Sequence, residues 1–346
     1  MNKKAILFSL IPAGVVFVAV DYMASYLGPR VTAPTAQVTA EYLEFDPFQM
    51  WRLRRGYEYG GIHISLDGFR HDTLVQAPAG SQLVFVLGGS TVFGVGVGSK
   101  QTISYFLQQL ANQSHRKVLV VNAGVTAYYS TQELIHLQRN LLPHRPDVVI
   151  SITGRNDAFY GLHPSYISDS IPYHGMMRRD LGALDPYYSS LETPRWRLHF
   201  MNWFAALLAN KRFDWLKDFE SAKLSFHSTA IEVFLRNQRA VHSLLQGLGV
   251  QHYLFLQPTI DYPERTLAPE ERGMDQDGYV APLQQAYKEL CTETEKNLDP
   301  AWFKGTIDIT KQPGQLFIDN VHLSEAGARL TAQAIYRAIW GEEPPR

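Results

Sequence analysis

Ser90, Asp319 and His322 are residue types that together can produce a nucleophile. A serine hydroxyl is weakly nucleophilic at neutral pH and needs an adjacent base. His322 can be that base, and Asp319, three residues before it, can hold the imidazole in one tautomer and stabilise its charged form. A group of this kind attacks acyl carbonyls. The predicted chemistry is therefore transfer of an acyl group to water or to another acceptor.

The residues near these three could stabilise the oxyanion of such a reaction. Gly88 and Gly89 precede Ser90 and leave room for substrate beside the backbone. A helix beginning at Ser90 would direct free amides at the developing charge. Besides the free amides of this helix, we expect the Gly124 amide as a second donor and the Asn156 side chain as a third. Each such donor is typically worth about 3 to 4 kcal/mol in the transition state.

Each of these motifs has a structural explanation when it is taken alone. Gly-Gly-Ser is common in loops, Asp-x-x-His is frequently a helix cap beside a surface histidine, and Asn156 could simply brace a turn. The functional interpretation depends on their positions. Each follows a predicted strand or precedes the last helix, and the carboxyl ends of parallel strands meet at one edge of a sheet.

The strands that would place them are short apolar runs without alternation, which is typical of strands buried on both faces. Four are predicted, and a weaker fifth fits either of two segments. They are Leu83–Leu87, Val118–Val121, Val148–Ile152 and His252–Pro258, followed by Leu316–Ile318 or Thr306–Ile309.

Segments with apolar residues at helical spacing separate the strands. They are Gln101–Asn112, Thr131–Leu142, Ser228–Leu248 and Leu323–Trp340, the last with Ser324 as its cap. Strands and helices in alternation predict an α/β fold with a parallel sheet and helices on both faces.

Residues at about 159–226 interrupt this alternation. They are rich in aromatic residues and contain four prolines. We interpret them as an inserted helical or irregular segment, which either covers the active site or packs onto the sheet. A second irregular stretch, 259–278, also follows a strand and could border the cleft. We assign residues 28–80 to a linker and N-terminal extension, and residues 81–346 to the main domain.

The N-terminus predicts a membrane segment. Lys3 and Lys4 precede the uncharged run Ala5–Val20, and apolar character continues beyond Asp21 to Leu27. A cleaved signal peptide is the alternative, but Tyr22 fits poorly at the small-x-small site before Ala24. We favour an uncleaved anchor at residues 1–27, and the lysines place the rest of the chain outside the cytoplasm.

Composition limits the other possibilities. The chain has 346 residues and a formal net charge of -1, and it shows no basic stripe, so we expect no nucleic-acid partner. Its one cysteine, Cys291, cannot form an intrachain disulfide. The histidines lack metal-ligand spacing, so we expect no metal. The glycines after Ser90 do not fit a dinucleotide fingerprint.

The ordered blocks around Ser90 (LGGST), Gly124 (NAG), Asn156 (GRND) and His322 (DNVH) resemble those of the SGNH/GDSL hydrolase superfamily. Gly89 stands where the aspartate of the family name usually lies. The Gly-Gly-Ser-Thr form is similar to a membrane-anchored branch, and the upstream HISLDGFRHD resembles the Gly-Phe-Arg element that often precedes the block there. The likeness spans 62–340 and leaves the insertion unmatched.

This resemblance implies a flavodoxin-like three-layer sandwich with a five-stranded parallel sheet. It implies a Ser90–His322–Asp319 triad, an oxyanion hole of Ser90, Gly124 and Asn156, and no cofactor. The implied activity is hydrolysis of a carbohydrate or lipid ester, with O-acetylated carbohydrate favoured. Two alternatives are an O-acyltransferase acting on envelope polysaccharide and a non-catalytic glycan-binding component. By position, Asp157 is expected to brace the turn that carries Asn156.

Overall fold

The computed structural model describes residues 41–162, 226–260, 267–274, 280–309 and 312–345. The predicted membrane segment and nearly all of the predicted insertion lie outside these residues. Within the described residues, no helix is both long enough and apolar enough to cross a membrane.

A five-stranded parallel sheet forms the centre of the molecule, as predicted. The strands are β5 (Gln82–Gly88), β6 (Val118–Gly124), β7 (Val148–Thr153), β8 (Gln251–Leu256) and β9 (Phe303–Thr306). They lie in the order β6-β5-β7-β8-β9. Strand β6 therefore pairs on one side of β5, and β7, β8 and β9 follow on the other side. Ligands of such sheets bind at the carboxyl ends of the strands, near the point where the order reverses. Here that point lies between β5 and β7.

Helices cover both faces of the sheet. They are α1 (Ser90–Phe93), α2 (Ile103–Gln113), α3 (Ser130–His136), α4 (Arg155–Gly161), α5 (Thr229–Gly247), α6 (Val280–Asn297) and α7 (Glu325–Trp340). A π-helical turn, Leu137–Leu141, extends α3. The side chain of Ser324 accepts from the Gly327 amide and caps α7, as its sequence predicts.

Strand β5 shows why the apolar runs do not alternate with polar residues. Val84 and Val86 lie in the hydrophobic cluster that contains residues of α2 and α7. Phe85 and Leu87 lie in the opposite cluster, which contains residues of α5. Successive side chains of a strand point to opposite faces, so a strand covered on both sides is apolar throughout. These layers form the predicted three-layer sandwich.

The fifth strand differs from the prediction. It is β9, Phe303–Thr306, which overlaps the predicted Thr306–Ile309 only at Thr306. The other candidate, Leu316–Ile318, contributes only an isolated bridge from Phe317 to Leu323. Gly305 has a φ of 85° and β9 pairs with β8 irregularly, so this edge strand lacks the regular pattern that identified the other four.

Residues from Glu41 onward belong to the same compact unit as the sheet, so the unit begins well before the predicted boundary at residue 81. Two hairpins occupy this region: β1 (Leu43–Asp46) with β2 (Met50–Leu53), and β3 (Glu58–Tyr59) with β4 (Ile62–His63). Farther along, the Arg70 backbone bridges to Asn122 of β6. The Trp51 indole donates to the Thr126 carbonyl at 2.9 Å. This extension therefore touches the strand ends where the site lies.

Candidate active site

Ser90 lies where β5 ends, at the first residue of α1, and is only 8% exposed. The helix is a single turn, because Gly94 adopts a φ of 89° and ends it. Among the described residues, the Ser90 amide donates to no protein acceptor, as expected for the first turn of a helix. It is therefore free to bind a substrate oxygen. A one-turn helix adds little dipole, so the donor is the amide itself.

Asp319 and His322 occupy a tight hairpin loop closed by a hydrogen bond from the Ile318 amide to the His322 carbonyl at 2.9 Å. The His322 ring Nδ1 lies 2.6 Å from Asp319 Oδ2. The other carboxylate oxygen, Oδ1, accepts from the backbone amides of Val321 at 2.9 Å and His322 at 2.7 Å. One aspartate therefore orients the ring and shapes the loop that carries it.

The environment of Asp319 favours its charged form. Burial alone would raise the pKa of this carboxyl, but the hydrogen bonds from the His322 ring and the two loop amides hold the pKa below its usual value. The Asp319 side chain is 48% exposed and the His322 side chain 16%. The carboxylate thus remains ionised at neutral pH beside the imidazole.

The serine and histidine segments adjoin each other. The Thr91 hydroxyl, next to Ser90, donates to the carbonyl of Val321, next to His322, at 3.3 Å. His322 Nε2 is buried and has no hydrogen-bond partner among the described residues, so its bond to Ser90 is not formed in this structure. The fold thus brings the two predicted residues to one edge and leaves His322 Nε2 without a partner among the described residues.

Asn156 lies in the first turn of α4, immediately after β7. Its Nδ2 donates to the Tyr128 carbonyl at 2.7 Å. A Cβ at Gly89 would lie only 2.8 Å from this Nδ2, so the amide lies beside the residue preceding the nucleophile. A side-chain amide carries two N–H donors, and one remains after the bond to Tyr128. Asn156 thus lies close to Ser90 with one N–H available, and its oxyanion role stays a prediction.

Gly124 is positioned differently from what its predicted role requires. Its amide donates to the Asn122 side-chain oxygen at 3.0 Å and is therefore occupied in this arrangement. A Cβ at this position would lie 2.2 Å from the Phe93 backbone nitrogen. The glycine is needed because α1 lies directly against the end of β6. The structure gives Gly124 a packing role in place of the amide donor that we predicted.

Ala127 was missed by the sequence analysis. It has a φ of 63°, in a turn closed by the Tyr128 amide bonding to the Val125 carbonyl at 3.2 Å. An alanine in this region is strained, and such strain is frequent at functional sites. Its amide donates to no acceptor in the part of the chain that the structure describes. No sequence signal could have identified it, because this conformation normally indicates glycine.

Glu271 was also missed. It is fully buried, and its Oε1 accepts from the backbone amides of Leu316 at 2.7 Å and Phe317 at 3.0 Å. These residues lead directly into the Asp319–His322 loop. Glu271 comes from the second irregular stretch, 259–278. From the sequence we expected only that this stretch could border the cleft, and we predicted no role for any of its residues. A carboxylate flanked by loop residues gives no sign that it will be buried.

Asp157 fulfils the bracing role expected of it. It is buried, and its carboxylate accepts from the Ser130 hydroxyl at 2.5 Å and from the Ser130 amide at 3.2 Å. Burial raises the pKa of Asp157 to about 7, although the bonds from Ser130 oppose this effect. The buried Glu133 lies nearby and its pKa is also raised, by burial and then by Asp157. The Asp157–Ser130 bonds tie α4, which carries Asn156, to α3, and Glu133 ties α3 to the end of β7 by accepting from the Thr153 hydroxyl at 2.8 Å.

A comparison with known families adds to this geometry. Residues 86–330, more than half of the chain, match the family described as GDSL-like lipase/acylhydrolase. The chain belongs to the GDSL-like lipase/acylhydrolase family. It is thus a hydrolase acting on ester bonds, as the resemblance of its sequence blocks implied. No curated protein matches the sequence.

Solved structures similar to this GDSL-like hydrolase include several esterases. An acetyl xylan esterase shares 16% identity over 74% of this chain and 99% of its own, with a TM-score of 0.40. An acetylxylan esterase from Geobacillus stearothermophilus shares 15% over 78% and 100%, with 0.42. A psychrotrophic esterase from Pseudoalteromonas shares 13% over 75% and 98%, with 0.40. Similarities of this size do not identify a substrate.

This GDSL-like hydrolase departs from the family name at Gly89. A Cβ there would lie 2.8 Å from Asn156 Nδ2 and 3.1 Å from the Tyr128 carbonyl. An aspartate would fit only if the Asn156 amide moved off Tyr128. Glycine at position 89 therefore leaves room for the Asn156 amide to lie beside it and donate to the Tyr128 carbonyl.

A second serine–histidine pair lies inside the sheet. The Ser151 hydroxyl is 3.1 Å from His252 Nε2. Both residues are buried within paired strands, and burial lowers the pKa of His252 to about 3. The His252 Nδ1 has no hydrogen-bond partner among the described residues, so no carboxylate orients this ring. The pair packs the sheet interior and does not match the arrangement of a nucleophile and its base.

Metal ligands do not cluster in the part of the chain that the structure describes. No group of three or more His, Cys, Asp or Glu side chains there could hold a metal ion. Cys291 is buried, as expected of a small apolar residue, and burial raises the pKa of its thiol to about 12.

Proposed function

We propose that this hydrolase cleaves esters with Ser90 as the nucleophile, His322 as the general base and Asp319 as the residue that orients the base. One observation carries the proposal: the imidazole is bound to Asp319 at 2.6 Å while its other nitrogen is buried and unpartnered beside the turn of Ser90. A buried nitrogen without a partner is costly unless a ligand or a moving side chain completes it.

The hydrogen-bond pattern assigns the tautomer of His322. Nδ1 carries the proton and donates a hydrogen bond to the ionised carboxylate, so Nε2 has the lone pair. Nε2 accepts the Ser90 proton as the Ser90 oxygen attacks the acyl carbon. The proton then passes to the departing alkoxide, which leaves as the alcohol. Water repeats the sequence on the acyl-enzyme and releases the carboxylic acid.

Ser90 must approach Nε2 for this reaction, because no bond joins them in the described residues. Rotation of the Ser90 side chain or a shift of the loop that carries the half-exposed Asp319 would bring them together. Catalytic hydrogen bonds are commonly long in unliganded enzymes and tighten with substrate. The Thr91–Val321 bond keeps the two segments adjacent during this change.

The oxyanion in this proposal is held by the Ser90 amide and by the free N–H of the Asn156 side chain. The third donor is the Ala127 amide in place of Gly124, whose amide is bound to Asn122. Support for Ala127 comes from its free amide and from the next residue, Tyr128, whose carbonyl binds Asn156. Removing one such donor typically costs about 10²–10³ in kcat.

The substrate class in this proposal is an O-acetylated carbohydrate of the cell envelope. The predicted location of the enzyme outside the cytoplasm supports this class. The N-terminal lysines and apolar run support a signal anchor with the catalytic domain outside the cytoplasm. In sequence, residues 28–40 separate the predicted anchor from the compact unit, which begins at Glu41. An enzyme tethered so closely would meet acylated glycans or lipids near the membrane.

Fluorophosphonate labelling of the full-length protein tests the nucleophile. We expect the wild type to be labelled and Ser90→Ala to be unlabelled. Ser151→Ala is the matched control, since it removes the serine whose hydroxyl lies 3.1 Å from His252 Nε2, and it should remain labelled. Labelling that persists in Ser90→Ala, or that disappears only in Ser151→Ala, would refute the assignment.

A panel of p-nitrophenyl esters tests the acyl group. The proposal expects the highest kcat/KM with acetate and a decline with longer chains. A rise with chain length would favour lipid esters. Release of acetate from acetylated polysaccharide, compared with transfer of labelled acetyl to a glycan acceptor, then distinguishes hydrolysis from acyl transfer.

Fusing a periplasm-dependent reporter after residue 40 tests the location of the domain.

A further inference from the structure

Arg70 is the arginine of the Gly-Phe-Arg element, to which neither the sequence nor the mechanism assigns a role. It is only 4% exposed, and its backbone amide bonds to the Asn122 carbonyl at the edge of the sheet. Among the described residues no carboxylate lies within salt-bridge distance of it. Charged side chains are seldom buried without a partner. Arg70 is buried without a carboxylate because backbone carbonyls accept its hydrogen bonds.

The guanidinium of Arg70 binds three backbone carbonyls after the nucleophile. Nη1 donates to Phe93 at 2.6 Å and to Gly94 at 2.7 Å, and Nη2 donates to Val97 at 2.7 Å. A one-turn helix cannot satisfy its last carbonyls internally. Arg70 supplies their donors, and its charge suits the negative end of the turn.

The same segment contacts the loop of the base. A Cβ at Gly96 would lie 2.1 Å from the Ile318 side chain, so the backbone at Gly96 packs directly on the residue before Asp319. The Phe93–Val97 segment thus lies between two parts of the site. At one end it continues from Ser90, and at the other it supports the hairpin of Asp319 and His322.

A ring contact fixes the position of Arg70. Its guanidinium carbon lies 4.6 Å from the centroid of the Phe93 ring. The Phe93 ring also stacks on Tyr42 at 4.7 Å, and the Tyr42 hydroxyl bonds to Thr126 at 3.1 Å. Packing of this kind leaves the arginine little freedom, so the three carbonyls are held in one arrangement.

We propose that Arg70 is a positioning residue for catalysis, which holds the Phe93–Val97 segment so that Ser90 and His322 come into register. This inference rests on the proposed function of Ser90. Arg70 touches neither substrate nor the reacting atoms. It affects the nucleophile through the backbone carbonyls that it binds in the segment after Ser90. It affects the base through the same segment, because Gly96 packs on Ile318, the residue before Asp319.

The test compares Arg70→Ala and Arg70→Lys with wild-type full-length protein, using p-nitrophenyl acetate and fluorophosphonate. Folding is checked by circular dichroism and thermal melting. A misplacement of about 1 Å can cost about 100-fold in rate. We therefore expect kcat of folded Arg70→Ala to fall about 100-fold with KM nearly unchanged, and labelling of Ser90 to slow in parallel.

Two rescues separate positioning from general loss of structure. Lysine can donate to fewer of the carbonyls at once, so Arg70→Lys should keep an intermediate kcat. Guanidinium ion at concentrations far below denaturing should partly restore Arg70→Ala. Arg116→Ala is the control, because Arg116 is ion-paired to Glu342 and precedes β6 at the opposite end of the sheet. It should retain wild-type kcat.

Gly96→Ala provides an independent variant that keeps Arg70. The added methyl group would displace Ile318, so kcat should fall without rescue by guanidinium. Wild-type kcat in folded Arg70→Ala would overturn the inference and leave the proposed function intact. So would a loss of kcat that only follows the unfolded fraction and is not rescued. Wild-type protein that is not labelled at Ser90 would overturn both.

Discussion

The proposed nucleophile, Ser90, and the proposed base, His322, lie in two regions that are held in different ways. Ser90 leaves the centre of the sheet, and Gly88 and Gly124 let its turn pack against neighbouring backbone, where an added Cβ would lie 2.4 Å from the Ile152 carbonyl or 2.2 Å from the Phe93 nitrogen. Asp319 and His322 follow the last strand in a partly exposed hairpin. Close packing of backbone dominates at the Ser90 turn, whereas hydrogen bonds to the Asp319 carboxylate shape the loop of the base.

This difference indicates how the site can adjust. Packed interiors resist displacement because there is no free volume to move into. A loop held by a few polar bonds can shift by small amounts and return. A shift of this loop, like rotation of the Ser90 side chain, can therefore bring Ser90 and His322 Nε2 together in the proposed mechanism. Substitutions on the base side should therefore alter kcat through the hydrogen bonds that they remove.

The largest effect is expected on the base side, at Asp319. Asp319→Ala removes the acceptor of the ring and of two loop amides, and kcat should fall about 10⁴-fold. Asp319→Asn should lose a similar factor because it favours the wrong tautomer, yet it can keep the loop amides bonded and the melting temperature near that of wild type. Asparagine activity above about a tenth of wild type would contradict the assignment.

The next effect tests the packed side through the oxyanion donor. Asn156→Ala should lower kcat by about 10²–10³ with little change in KM, because its amide acts only on the transition state. Asn156→Asp should be at least as slow, since a carboxylate repels the developing charge. Steady-state kinetics with p-nitrophenyl acetate measure both. A change confined to KM would show that Asn156 binds substrate without stabilising the oxyanion.

A smaller effect is expected at Glu271, whose carboxylate binds the backbone just before the loop of Asp319 and His322. Glu271→Gln keeps the shape but weakens two charge-assisted bonds to Leu316 and Phe317, so kcat should fall about tenfold. Glu325→Gln is the control, because Glu325 is exposed and paired with Arg329 on α7. Equal kinetics for the two variants would show that the loop does not depend on Glu271.

The smallest effect is a pH dependence of stability at Asp157. Burial raises its pKa from 3.8 to about 7 in the folded protein, so the fold binds a proton here that the unfolded chain releases. The contribution of this group to stability is therefore complete below about pH 4 and declines as pH rises towards 7.

Asp157→Asn should remove this part of the slope. Thermal melting of wild type and variant between pH 4 and 8 measures it. Glu133→Gln provides the matched comparison, because the pKa of Glu133 is raised by the same burial and by Asp157 itself. Parallel melting profiles for wild type and Asp157→Asn would show that the carboxyl ionises without cost in the fold.

The sequence predicted four strands and the α/β class because strands covered on both faces must be apolar throughout, as the β5 residues are. It missed α6 and misplaced β9. The α6 segment, Val280–Asn297, is largely polar and lies beyond an irregular stretch, so its apolar positions stand out weakly. Strand β9 has only four residues and includes a glycine at positive φ.

For the proposed site, sequence alone predicted Ser90, Asn156 and the Asp319–His322 pair, because each depends on local spacing after a strand or within one loop. The pairing of His322 with Asp319 needs only three residues of chain. Tertiary structure decided that the Gly124 amide is occupied, that Ala127 is strained, and that Arg70 and Glu271 hold the two sides. These facts arise from contacts between residues far apart in sequence, and residue type does not encode them.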